Sequence, residues 1–199
     1  MKKNTLTKLI LGSRYFIHLL FTNFYHLGKR VSFKTGVVIE NGSHISLGNH
    51  VYLESRVTLK FLEEFENISF NRPNLILDDN VFIGTGTIIA AAKLIHLKKN
   101  VMVGPHCFIG DHDHGYTNVR LPIKEQGYAN IESIEIQEGA WIAANVTICS
   151  GVTIGRNSVI GANSVVTNDI PSFSVAVGAP AKVVKKFNKI TKAWEKVKK

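Results

Sequence analysis

At 199 residues, 45% hydrophobic and 20% charged, the chain describes an ordinary globular protein of one or two domains with enough apolar material for a real core. Its net charge of +9 is unevenly placed: residues 1–34 carry seven Lys/Arg and no acid, residues 182–199 carry eight against Glu195 alone, and the middle is net acidic. A nucleic-acid reader would spread basic surface over its fold, so nucleic acid is not an expected partner; basic ends suit phosphates on a small ligand or an anionic membrane surface.

Residues 5–28, TLTKLILGSRYFIHLLFTNFYHLG, are rich in Leu, Ile and aromatics. Arg14, His18, Asn23 and His26 interrupt them, which argues against a spanning helix, and no small-residue cleavage site marks a signal peptide. Leu9, Phe16, Leu20 and Leu27 share a helical stripe. An amphipathic helical segment is therefore expected over 1–34, ending near Gly28 and packing on, or capping, the remainder of the chain.

From about Val37 a six-residue beat sets in. Leu47, Leu53 and Leu59 are one series, with Val51 and Val57 as paired inward positions. The stretch FLEEFENISFNRPN breaks the surface pattern, yet Leu59 to Leu77 is 18 residues, which reads as one whole turn of three six-residue steps. Leu77, Ile83 and Ile89 continue the beat, and two extra residues near Ala90–Lys93 shift it to Leu97, Val103 and Ile109. The clearest run is Ile136, Ile142, Ile148, Ile154, Ile160 and Val166, each preceded by two positions by Ile134, Ala140, Val146, Val152, Ser158 and Ser164. Gly139, Asn145, Gly151, Asn157 and Asn163 follow at the corners, and Gly and Asn enter a left-handed backbone conformation at little cost. Short strands joined by sharp corners, three to a turn, make a triangular coil of parallel strands over 35–170.

Ile109 to Ile136 is 27 residues, which no multiple of the turn accommodates, so 111–133 is an inserted loop leaving the coil. Polar loops on a rigid scaffold are where function concentrates. Beyond Thr167 the segment 171–199 closes the coil, and Val183, Phe187, Ile190, Trp194 and Val197 stand at helical spacing, which predicts a basic C-terminal helix. Cys107 and Cys149 fit no metal or disulfide spacing; Cys107 falls on an inward position, and a buried thiol fits a reducing compartment.

Three pieces, GDHDHGY at 110–116, the loop after it, and GAWIAANVTICSGVTIGRNSVIGANSVVTNDIPSFSVAVGAPAKVV at 139–184, resemble the hexapeptide-repeat acyltransferases, in particular the galactoside/maltose acetyltransferase-like and polysaccharide O-acetyltransferase group. The resemblance covers about 37–187. It implies an all-β core in the form of a left-handed parallel β-helix, a homotrimer, and acetyl-CoA as co-substrate bound in a groove between coils. It further implies a carbohydrate acceptor, expected in a cell-surface polysaccharide or its precursor. A cytoplasmic location is expected, and the basic aromatic N-terminal segment leaves open peripheral contact at the inner membrane. No metal is expected.

Transfer from a thioester to a hydroxyl needs a base for one proton and a donor for the developing oxyanion. Of eight histidines, His18 and His26 belong to the N-terminal segment, His44, His50 and His106 fall at corners, and His96 lies on a strand facing outward. His112 and His114 remain, at the mouth of the loop. By resemblance His112 is the base, preferred over His114, which is then a substrate contact or a structural neighbour. Asp111 and Asp113 either orient an imidazole or hold a turn, turn-holding being the plainer role for Asp111, and Asp113 is also a substrate-binding candidate. Trp141 matches a tryptophan near the acceptor or pantetheine tunnel. Ala144, Ala162 and Thr167 match positions along which pantetheine runs, Lys182 and Lys185 match the basic positions that meet CoA phosphates, and a backbone N–H near Ala143–Ala144 is the oxyanion candidate. Gly84 and Ala92 stand where related galactoside enzymes carry Asn and Asp, which puts a galactoside or maltose acceptor in doubt. The competing readings are a carbonic-anhydrase-like metal hydratase, which needs three converging histidines, and a non-catalytic binding module.

Overall fold

The structure is a computed structural model that describes residues 22–62 and 73–197. Its body is a coil whose inward positions are those of the six-residue beat: Ile136, Ile142, Ile148, Ile154, Ile160 and Val166 are all solvent-inaccessible, as are Leu47, Leu53, Leu59, Leu77, Ile83, Ile89, Leu97, Val103 and Ile109. Each short strand turns two alternate side chains inward and leaves the residue between them outside. The interior is thus a stack of Leu, Ile and Val with few polar side chains, and Ser158 and Ser164 enter it only with their hydroxyls bonded to the carbonyls of Pro171 (2.7 Å) and Gly161 (2.6 Å).

Three parallel faces result. Face one stacks His26–Leu27, Ile45–Leu47, Leu75–Leu77, Ile95–Leu97, Ile134–Ile136 and Thr153–Ile154. Face two stacks Ser32–Phe33, Tyr52–Leu53, Phe82–Ile83, Met102–Val103, Trp141–Ile142 and Val159–Ile160. Face three stacks Val38–Glu40, Thr58–Phe61, Ile88–Ala91, Phe108–Gly110, Thr147–Ile148 and Val165–Val166. The corners use the residues the pattern picked out: Gly139, Asn145, Gly151, Asn157 and Asn163 all have positive φ, between 50° and 79°. Neighbouring corner asparagines join across turns, as in Asn145 Nδ2 to Asn163 Oδ1 (3.2 Å).

The edge between faces three and one differs from the other two. It takes two extra residues after Ile39 and again after Ile89, twelve after Leu59, and twenty-one after Ile109. This corrects the reading of 59–77 as a whole turn. Leu47 and Leu77 are register partners on face one, so Leu59 and Leu77 are separated by a single corner carrying an insertion. The coincidence with 18 misled because periodicity records spacing and not which corner the chain is passing. Of that insertion, 63–72 lie outside the described residues.

The ends depart from expectation too. Residues 1–21, most of the expected N-terminal helix, lie outside the described residues, but His26–Leu27 and Ser32–Phe33 within 1–34 are strands pairing with Ser46–Leu47 and Tyr52–Leu53. The coil therefore starts before Val37. The C-terminal helix is not formed: Ser174–Gly178 extends face two in parallel, and Ala181–Asn188 and Ala193–Lys196 fold back on it as antiparallel strands. The unpaired edge of face two supplies backbone partners that an isolated amphipathic helix would lack. Helical spacing would have put Ile190 on a buried stripe; it stands 92% exposed at the hairpin turn. Among the described residues no helix is long and apolar enough to cross a membrane.

Candidate active site

The extra residues after Ile89 leave the backbone N–H groups of Ala92, Lys93 and Leu94 without strand partners. Asp111, wholly buried, answers all three: Oδ1 accepts from Ala92 (2.6 Å), and Oδ2 accepts from Lys93 and Leu94 (2.8 Å each). A carboxylate can be buried when its charge is met by several donors. The same Oδ1 lies 3.3 Å from His112 Nδ1, whose side chain is 12% exposed. Asp111 thus both holds the neighbouring corner and touches the imidazole, joining the two roles left open for it.

The 111–133 insertion is a small hairpin. Asp113–His114 pairs antiparallel with Tyr128–Ala129, and the Gly115 N–H donates to Gly127 O (2.9 Å). The Tyr128 ring meets His112 edge-on (centroids 5.2 Å, 86° between planes) and lies nearly parallel to His114 (5.1 Å, 23°). Asn130 Nδ2 donates to Asp113 Oδ2 (2.9 Å). At the base, the Ser150 hydroxyl lies within hydrogen-bond reach of the carbonyls of Asp111 (3.0 Å), Asn130 and Glu132 (3.2 Å) and accepts from Glu132 N–H (3.0 Å). Lys93 pairs with Glu132 at 3.0 Å. Beside this base burial raises the Cys149 thiol above its ordinary pKa, helped by the negative charge of Asp113.

The residues singled out from sequence fall into two groups. His112, Asp113 and His114 share the edge between faces three and one with Thr167, whose neighbour Val166 accepts from the Cys149 N–H (3.0 Å). Ala144 and Ala162 are stacked on the opposite edge of face three, where the Asn163 N–H donates to Ala144 O (3.0 Å). Thr167 is therefore separated from the two alanines with which it was grouped. Trp141, 45% exposed, points outward from face two beside Met102, its register partner. Lys182 and Lys185 lie on the strand that closes face two, exposed and without an ion pair among the described residues. The Ala143 N–H is taken by Ile160 O (2.9 Å), whereas that of Ala144 makes none of the coil's backbone bonds among the described residues. A face about six residues wide spans roughly 15–20 Å, so one copy of the chain does not bring the two groups together.

Of the remaining histidines, His18 lies outside the described residues and His26 is exposed on the first strand of face one. His50 and His106 occupy left-handed corners (φ 58° and 57°). His44 is no left-handed corner residue: it is buried, stacked on Phe61 (centroids 3.9 Å), with Nδ1 2.7 Å from Asn74 Oδ1. His96 Nε2 lies 3.0 Å from Asp78 Oδ1. Among the described residues no three His, Cys, Asp or Glu side chains converge as metal ligands. Tyr128, Asn130 and Ser150 were not singled out from sequence; each lies in or against the break in the beat, and which of those polar residues turn back onto the coil is not a property of spacing.

Residues 133–168 match the family described as bacterial transferase hexapeptide (six repeats). The chain is 32% identical over 157 residues to WbbJ of Escherichia coli K12, named as an O-acetyl transferase of lipopolysaccharide biosynthesis, across 73% of this chain and 80% of that protein. It is also 32% identical over 168 residues to Rv3034c of Mycobacterium tuberculosis, named as an acetyltransferase, covering 84% of this chain but about half (52%) of the longer relative. Among solved structures, AntD, an N-acyltransferase of Bacillus cereus, superposes with a TM-score of 0.72 at 18% identity over 88% of this chain and 90% of its own. The Vibrio cholerae hexapeptide acetyltransferase VCA0836, in complex with acetyl-CoA, gives 0.56 at 25% identity over 89% and 78%. The all-β body, its parallel faces and these neighbours fit a left-handed β-helix. The chain belongs to the hexapeptide-repeat acetyltransferases.

Proposed function

We propose that the protein is an acetyl-CoA-dependent O-acetyltransferase acting on a hydroxyl of a sugar, in a cell-surface polysaccharide or its precursor, with His112 as general base. The observation that carries this reading is the Asp111–His112 contact: a buried, multiply bonded carboxylate beside Nδ1 fixes the ring and favours the tautomer with its proton on that nitrogen. Nε2 is then bare and able to take a proton. The acceptor hydroxyl attacks the thioester carbonyl while Nε2 removes its proton; the tetrahedral adduct collapses, expelling the CoA thiolate, and the imidazolium returns the proton to sulfur. The Ala144 N–H suits the oxyanion. His114 and Asp113, exposed beside Tyr128, suit contacts to the acceptor.

Ala144 and Ala162, small and stacked, let a pantetheine approach the backbone, and Lys182 and Lys185 suit the phosphates of CoA as salt-sensitive point charges. Reaction and donor groups on opposite edges of one face call for a second copy of the chain to complete each site, and a closed three-fold ring supplies one for every protomer. The outward apolar residues of faces two and three, among them Met102, Trp141, Ile88 and Phe108, suit that contact. The reading is tested by following CoA release from acetyl-CoA with a panel of sugars and amino sugars, for the native chain and His112→Ala. Sugar-dependent release abolished by the substitution is the expected outcome; release only with amino sugars would move the chemistry to nitrogen.

A further inference from the structure

Nothing in acetyl transfer accounts for the turn joining Ala181–Asn188 to Ala193–Lys196, which holds an isoleucine 92% exposed at its tip. The tip is tied by its own side chains. Asn188 Oδ1 accepts from the N–H groups of Ile190 (2.8 Å) and Thr191 (3.3 Å), while Asn188 Nδ2 and Thr191 Oγ1 both donate to Glu195 Oε1 (2.9 and 2.8 Å). Those two donors also hold the Glu195 carboxyl below the ordinary range, so it serves the turn as an anion. Ordering a chain costs conformational entropy, and here the ordered product keeps an apolar side chain in water.

The hairpin's charge is equally uneconomical for a solvated element. Lys185 and Lys196 are direct cross-strand partners on one side, where like charges oppose each other. On that same side Phe187 and Trp194 pair edge to face (5.5 Å, 66°), and Trp194 remains 43% exposed. The other side carries Lys186 opposite Glu195. Lys189 leans back over the Phe173 ring (5.6 Å), but Lys192, left-handed at φ 53°, stays at the tip beside Ile190. An exposed aliphatic tip, an indole half in water behind it, and lysines that make no ion pair among the described residues form an amphipathic pattern that matches the boundary between lipid headgroups and acyl chains.

We infer that this hairpin docks the protein on an anionic lipid surface, with Ile190 and Trp194 entering the interface and Lys192 and Lys196 meeting headgroup phosphates. The inference does not depend on the acetyl-transfer reading. It is tested with the full chain by cosedimentation with phosphatidylglycerol/phosphatidylcholine vesicles and with phosphatidylcholine vesicles alone. Binding is expected only to the anionic vesicles and falls with added salt. Each lysine reversed at such a surface lowers affinity by at least about five-fold, so Lys192→Glu/Lys196→Glu abolishes measurable binding, and Ile190→Ser, at a position without packing to lose, weakens it by itself. Trp194 emission, read in a Trp141→Phe background, shifts to the blue on the anionic vesicles. Acetyl transfer to a soluble sugar and the KM for acetyl-CoA stay unchanged in Ile190→Ser, which separates failure of this inference from failure of the catalytic one. No binding by the native chain overturns it. Equal binding by the substituted chains also overturns it, placing attachment elsewhere, and a raised KM for acetyl-CoA without altered vesicle binding assigns the lysines to CoA phosphates instead.

Discussion

At the scale of single residues, the arrangement around Asp111 makes the most demanding claims. His112→Ala is expected to lower acetyl transfer by about 10²–10⁴-fold, the usual range for a lost general base, while circular dichroism and thermal unfolding stay those of the native coil. Asp111→Asn is expected to fail in both respects. Its amide NH₂ must replace either Oδ1, facing the Ala92 N–H, or Oδ2, facing those of Lys93 and Leu94, and in both cases leaves a donor unanswered at a cost of about 1–3 kcal/mol; urea unfolding and kcat measured on the same sample should fall together. Cys149 offers a check on the local field. Burial first, and Asp113 second, raise its thiol pKa, so the reactive thiolate is scarce at neutral pH. Iodoacetamide alkylation should accelerate as pH rises, and Asp113→Asn, by removing a negative charge, should lower the thiol pKa and speed the reaction at fixed pH.

At the scale of elements, the corners and the edge insertions do different work. Gly139 has φ +70°, and a Cβ built there would collide with Asn157 Oδ1 on the next turn. Gly139→Ala is expected to destabilise the coil by about 1–2 kcal/mol from the left-handed backbone, with the Asn157 amide turning aside to admit the methyl, read as a lowered urea midpoint. The hairpin at 111–133 rests on the coil through Asp111, Ser150 and Lys93 and contributes little to the stacked interior. Replacing the arc between Gly115 and Gly127 by a two-residue turn should therefore leave the thermal transition nearly unchanged and impair acceptor binding, seen as a raised KM for the sugar. These elements were unequally legible. The corner asparagines and glycines announced themselves because a left-handed residue is a local requirement. The C-terminal strands did not, because Val183, Phe187 and Trp194 fit either period, and only the open edge of face two chose between them.

For the whole molecule, the placing of the candidate catalytic and donor-binding residues on opposite edges of face three is the decisive geometric feature. If two copies complete each site, mixing His112→Ala chains with Ala144→Trp chains, each inactive alone, should restore about a quarter of native activity on random assembly into three-fold rings; a strictly intramolecular site would give none. Light scattering should report three times the chain mass.

The amino-acid sequence by itself determined the six-residue beat, its corners and the break after Ile109, because each is written in spacing or in the backbone tolerance of one residue type; the choice of His112 within that break came from the family resemblance. The tertiary structure alone decided that Leu59 and Leu77 flank one corner, that the chain ends in strands, and that Asp111 reaches back to Ala92–Leu94 while touching His112. Those outcomes depend on which backbone groups lack partners once turns stack, and a hydrogen-bond deficit at one turn is visible only when its neighbours are in place.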